Sequence, residues 1–139
     1  MREILFRGKR VDGGEWCYGV PLVEGWSKKT YIASYEYSSL TFIQQIEIIP
    51  ETVGQFTGLT DKNGKRIFEG DVVCEELYRE NKGVVKFGEG TFDSGAYPYI
   101  GFFYEDILGY KDHNSLYFSA YNPFIVLGNI HDNPELLTD

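Results

Sequence analysis

The sequence predicts a mainly β protein with little helix. Turn signals recur at intervals of roughly ten residues. The runs between them are rich in β-branched and aromatic residues, which suit a pleated, half-buried surface. No long stretch keeps the period of an amphipathic helix. Aromatic residues make up 17% of the 139 residues and hydrophobic residues 42%, enough apolar surface to build a core. The length suits one domain or two small ones.

In chain order, "EILFRG" places Ile4 and Phe6 on one face, expected to be inward. Asp12, Gly13 and Gly14 then form a turn into a second strand. On that strand Trp16 and Tyr18 share a face, with Cys17 on the other. "KKTYIAS" reads as a third strand. "FIQQIEIIP" fits both periods, but its length, its isoleucines and the stop at Pro50 favour a strand. "DKNG" at 61–64 is a strong turn, because Asn63 and Gly64 tolerate positive φ.

"KRIF" follows as a short strand, "EGD" turns again, and "VVCEEL" resumes the sheet. "KGVVKF" pairs with it through the loop "YREN", and "GEG" at 88–90 is expected to turn before "TF". From Tyr97 to Tyr121 the chain holds six tyrosines and three phenylalanines, read as aromatic-rich strands. "FIVLGNI" has the composition of a buried strand. In "DNPELLTD", Asn133 is expected to cap a short helical turn, with Pro134 at its first position and Leu136 and Leu137 docking it.

Thirteen basic residues against 21 acidic ones give a net charge of −8. That balance opposes nonspecific nucleic-acid binding, which needs Lys and Arg to displace counterions. The charge is uneven: residues 1–30 carry six basic and four acidic groups, and no Lys or Arg follows Lys111. No apolar run approaches the about 18 residues of a membrane span, and the N-terminus lacks the apolar segment of a secretory signal. Cys17 and Cys74, far apart in sequence, read as reduced thiols of a cytosolic protein.

Chemistry-bearing patterns are weak. Cys17, Cys74, His113 and His131 match zinc in number, but no two come from one tight turn that would pre-form half a tetrahedron. Glu69 and Asp71 would face one side of a strand and hold Mg²⁺ together with Asp61, but Gly70 between them argues for a turn. In a turn, Asp71 accepts backbone N–H bonds and fixes the start of the next strand. No Gly-x-Ser-x-Gly elbow or phosphate-binding P-loop occurs, and "GEGTFD" lacks the third glycine of a dinucleotide fingerprint. The expectation is no catalytic set, no metal and no cofactor.

Four segments, "MREILFRGKRVDGGEWCYG", "ETVGQFTGLTDKNGKRIFEGDVV", "GVVKF" and "VLGNIHDNPELL", resemble the YopX family of phage and prophage proteins. Stretches 21–50 and 91–121 fall outside the resemblance. It implies an N-terminal β region over 1–57 and a C-terminal SH3-like small barrel, or roll, over 58–139. "EGDVV" would enter the roll's first long strand, with a compact core from Val72, Val73, Val84, Val85 and Phe87. It also implies a phage-encoded protein working in bacterial cytoplasm, and it carries over no catalytic residues. His131 stands where the family pattern suggests an aromatic.

Gly58, Asp61, Asn63, Gly64, Gly70, Asp71, Gly128, Asn129, Asn133 and Pro134 are therefore read as structural. Function is expected to be non-enzymatic: binding of a phage or host protein, or self-association into a homo-oligomer, with Tyr97, Tyr99, Tyr104 and Tyr110 as contact residues. The alternative is a nucleic-acid-related accessory role. It would require Arg2, Arg7, Lys9, Arg10, Lys28 and Lys29 to gather on one face, near Lys62, Lys65 and Arg66. Mimicry of DNA by an acidic protein is a variant for which −8 is mild.

Overall fold

The computed structural model describes residues 3–35, 43–92, 97–107, 114–115 and 124–138. The chain divides into two compact units, Met1–Phe56 and Thr57–Asp139. The described strands form two antiparallel sheets and no closed barrel.

The first unit holds β1 (Phe6–Lys9), β2 (Trp16–Val23), β3 (Thr30–Tyr35), β4 (Ile43–Ile48) and the start of β5 (Gly54–Thr60). Their hydrogen-bonded order is β4-β3-β2-β1-β5. Alternation along β2 buries Cys17 and leaves Tyr18 outside. Cys17, Ile32 and Ile48 form the core, with Phe6, Ile46 and Val53 packed against it. Each fully buried aliphatic side chain contributes roughly 1.5–3 kcal/mol.

Gly8 is dictated by this packing, since a Cβ there would lie 2.3 Å from Ile48 Cδ1. β4 ends beside the end of β1, where Arg10 bridges Ile48 and Ile49 N donates to Lys9 O at 2.8 Å. Ile4, expected inward, precedes β1 and is 69% exposed, because no strand partner holds it against the core.

In the second unit, β6 (Arg66–Phe68) lies beside the second half of β5. β7 (Asp71–Glu75), β8 (Lys82–Phe92), β9 (Tyr97–Asp106), β10 (Asn114–Ser115) and β11 (Phe124–Asn129) follow. Their order is β10-β9-β8-β7-β11. Ile67, Val73, Val85, Phe102, Tyr104 and Phe124 form its core. β11 carries a bulge between Val126 and Gly128 against β7, a device that bends a strand.

Three sequence expectations change here. "GEG" is no turn: Gly88, Glu89 and Gly90 run inside β8, paired in that order with Gly101, Ile100 and Tyr99 of β9. The continuous ladder from Gly83↔Asp106 to Phe92↔Tyr97 overrides glycine's weak local preference. Phe87 stands opposite the core residue Phe102 and touches it edge-on, yet is 53% exposed, at the margin of the core. Finally, Asn133 makes no side-chain cap on the 3₁₀ helix Pro134–Leu137. Its Oδ1 instead accepts from Asn129 N at 3.2 Å. Leu136 is half-buried and Leu137 is exposed.

Candidate functional site

The residues singled out in the sequence assemble in the second unit. Asp61 is 5% exposed. Its Oδ1 accepts from Asn63 N and Lys65 N, both at 2.8 Å, which closes the "DKNG" turn. Its Oδ2 accepts from Val126 N at 3.1 Å. Lys62 N donates to Phe124 O at 3.0 Å. Asp71, 1% exposed, accepts from Phe68 N at 2.8 Å and faces Asn129 across the β7–β11 ladder.

Gly70 at φ +86° donates to Val85 O and accepts from Ile130 N, both at 2.9 Å. Gly64 sits at φ +82° and Gly58 at φ +87°, both in the left-handed region that an L side chain resists. Asn129 Oδ1 accepts from His131 N at 3.0 Å and Asp132 N at 2.8 Å, while its Nδ2 donates to Asp132 at 3.1 Å. Gly128 leaves room for Asn133, whose Oδ1 would lie 2.3 Å from a Cβ there. Two sequence motifs far apart in the chain thus form one hydrogen-bonded junction.

The Asp61 carboxylate is committed to backbone donors, and Glu69 lies in the turn with Gly70 rather than on a strand face with Asp71. Among the described residues no three His, Cys, Asp or Glu side chains group as metal ligands. His113 lies outside the described residues. Cys17 and Cys74 are free and buried, and burial pushes both thiols up from their ordinary value.

The tyrosines expected as contacts divide differently. Tyr104 is 4% exposed, packs edge-on against Phe124 and donates its hydroxyl to Glu75 at 3.1 Å, so it belongs to the core. Tyr97 and Tyr99 lie on β9. Tyr110 lies outside the described residues.

Exposed apolar side chains occur in both units: Leu77, Tyr78, Phe87 and Ile100 in the second, and a row along β2 with the turn after it in the first. β2 points Tyr18, Val20 and Leu22 outward, at 48%, 47% and 41% exposure, while Ile32 on β3 and Cys17 fill the inner side. Beyond β2 the chain turns at Glu24–Lys29. Glu24 N donates to Lys29 O at 2.8 Å, Lys28 N to Glu24 O at 3.0 Å, and Lys29 N to Ser27 Oγ at 3.2 Å. These bonds hold a tight tip on which Trp26 is 97% exposed.

Lys28 sits at φ +60°, the one non-glycine residue in that region among the described residues. A left-handed L residue costs about 1–2 kcal/mol, so this tip retains backbone strain while leaving an indole in water. Tyr31 donates to Glu24 at 3.4 Å. Partial burial, then the neighbouring Glu24 carboxylate, raise its phenol above the usual range.

Of the basic residues that would mark a nucleic-acid face, Arg7 lies 4.4 Å over the Trp16 ring and Lys9 5.8 Å from it. Arg10 reaches Glu15 at 3.8 Å. Lys28 and Lys29 are exposed at the tip, and Arg2 lies outside the described residues. Sequence reasoning passed over Trp26. Its signal was a tryptophan inside "EGWSKK", a polar turn with no strand neighbours to bury it.

A mainly β chain in two units, with a buried polar junction and an aromatic hairpin tip, is the class of protein this geometry defines. Residues 5–138 match the family described as YopX protein, and the chain belongs to that family. The crystal structure of protein EF1440 from Enterococcus faecalis is similar, with a TM-score of 0.57 and 22% identity, over 99% of this chain and 100% of that one. At that identity the likeness speaks to the fold alone. No curated protein matches the chain.

Proposed function

We propose that this chain is a non-enzymatic protein-binding module of phage origin whose contact surface is the β2–β3 hairpin. The observation that carries the reading is Trp26, 97% exposed on a turn fixed by its own backbone hydrogen bonds. Exposed tryptophans held in one geometry make strong anchors, because little freedom is lost on binding. Tyr18, Val20 and Leu22 extend apolar surface along the same hairpin. The second unit is read as related to SH3-like rolls, on the strength of its bulged β11 and sharp glycine turns. The working compartment is the bacterial cytoplasm.

The test is capture by immobilised wild-type and Trp26→Ala protein, from lysate and from solutions of purified candidates. A partner retained by wild type and lost by the variant supports the reading; equal retention overturns it. A second reading, single-strand nucleic-acid binding, draws on the cations beside Trp16 and Trp26. It requires oligonucleotide binding that falls steeply with salt.

A further inference from the structure

We infer that the hairpin tip docks on a second copy of this chain, in a hollow of that copy's second unit lined by Val84, Lys86, Glu105, Asp106, Ile107 and Leu137. This rests on the reading of the hairpin as a protein-contact surface and names its partner. Size is the first argument. The hollow measures about 260 Å³, below the roughly 300–1,000 Å³ of small-molecule and cofactor sites. It suits one large side chain.

Chemistry is the second argument. Val84, Ile107 and Leu137 give apolar walls, and Leu137 is 40% exposed at the rim. An indole carries the matching apolar body, and its N–H would donate to a carboxylate of the lining, Asp106 or the Glu105 that also holds Lys86.

Charge is the third. Residues 57–139 carry fourteen acidic and seven basic groups, whereas residues 1–56 carry seven and six. The tip adds Lys28 and Lys29 directly after the indole, both exposed. Lys86 pairs with Glu105 in the hollow, so Asp106 sets its net sign; the Lys28–Lys29 tip is attracted to that acidic wall and repelled by another tip, which favours tip-to-hollow over tip-to-tip pairing. Such a contact is heterologous, so each chain offers one tip and one hollow.

The experiment is light scattering on purified full-length protein across a concentration series. Wild type is expected to rise above the mass of one chain as concentration increases. Trp26→Ala and Leu137→Arg, both at exposed positions, should each fold, with unchanged circular dichroism, and self-associate roughly thirtyfold more weakly, the loss typical of an anchor residue. Mixed in equal amounts, the two variants should form a pair and stop there, because one retains the hollow and the other the tip. The double variant Lys28→Glu/Lys29→Glu should also associate more weakly, and added salt should weaken wild type in the same direction.

A wild type that stays at one chain's mass at all concentrations overturns the inference, as does a variant mixture that fails to pair. If that wild type nonetheless captures another protein through Trp26, the second-copy inference falls alone and the binding reading stands. If Trp26→Ala changes neither, both fall.

Discussion

The junction around Asp61 and the tip around Trp26 use the same ingredients, charge, glycine and a tight turn, to opposite ends. At the junction Asp61, Asp71 and Asn129 turn inward, while Lys62, Lys65 and Arg66 stay exposed. Asp61 is 5% exposed and takes three backbone N–H donors from two distant parts of the chain. At the tip the backbone satisfies itself, and the conspicuous side chain is left 97% exposed. Concentrated charge and glycine marked the place where the fold is locked. A single tryptophan in a polar turn marked the most exposed aromatic side chain among the described residues.

Five perturbations separate the two regions, from the largest expected effect to the smallest. Asp61→Ala should be the most damaging. It strips a buried carboxylate from Asn63 N, Lys65 N and Val126 N. Hydrogen bonds to a charged group are worth about 1.5–3 kcal/mol each, so denaturant unfolding should show a loss of about 3 kcal/mol or more. A loss under about 1 kcal/mol would mean that water replaces the carboxylate and the junction is not a lock.

Gly70→Val comes next. Its φ of +86° is held by hydrogen bonds on both sides of the residue. A β-branched residue there should cost about 2 kcal/mol, read as a lowered melting temperature. Gly64→Val should cost less, because a Cβ at Gly64 meets nothing within 4 Å and only the φ of +82° resists it.

A smaller effect is expected from pH. Burial raises the Cys74 thiol above 9.0, with Arg79 and Lys82 opposing the shift and Glu75 adding to it. Above that pH the unfolded chain releases the proton while the folded chain keeps it. The contribution is thus full below 9.0 and is lost as pH rises through the folded value. Melting temperatures measured upward from pH 8.5 should decline with a slope that Cys74→Ala reduces; an unchanged slope would remove Cys74 as its source.

Trp26→Ala should have the smallest effect on stability, within about 0.5 kcal/mol, as for a surface residue without partners in the fold.

Much of the strand pattern was legible because each run satisfied both propensity and period. "KKTYIAS", "FIQQIEIIP" and "VVCEEL" lie on β3, β4 and β7. The turn at "DKNG" was legible, since Asn and Gly state their turn chemistry locally. What stayed hidden depended on long-range geometry. Gly88 pairs with Gly101 in a ladder that nothing near "GEG" announces. Phe87 and Tyr104 are both aromatics on neighbouring strands, yet one is 53% exposed and the other 4%. Both stand opposite core residues, Phe102 and Val85, so which ring is covered depends on what packs over that part of the sheet face and not on either strand's own residues. Trp26 was hidden for a plainer reason: aromatic residues usually read as core, and only the turn around this one shows that it has nowhere to go.

The most direct measurement takes Trp26→Ala through thermal unfolding and light scattering on the same preparation. The account predicts a melting temperature equal to wild type, far above that of Asp61→Ala, together with loss of concentration-dependent association. A melting temperature lowered toward that of Asp61→Ala, or association that survives intact, would contradict it.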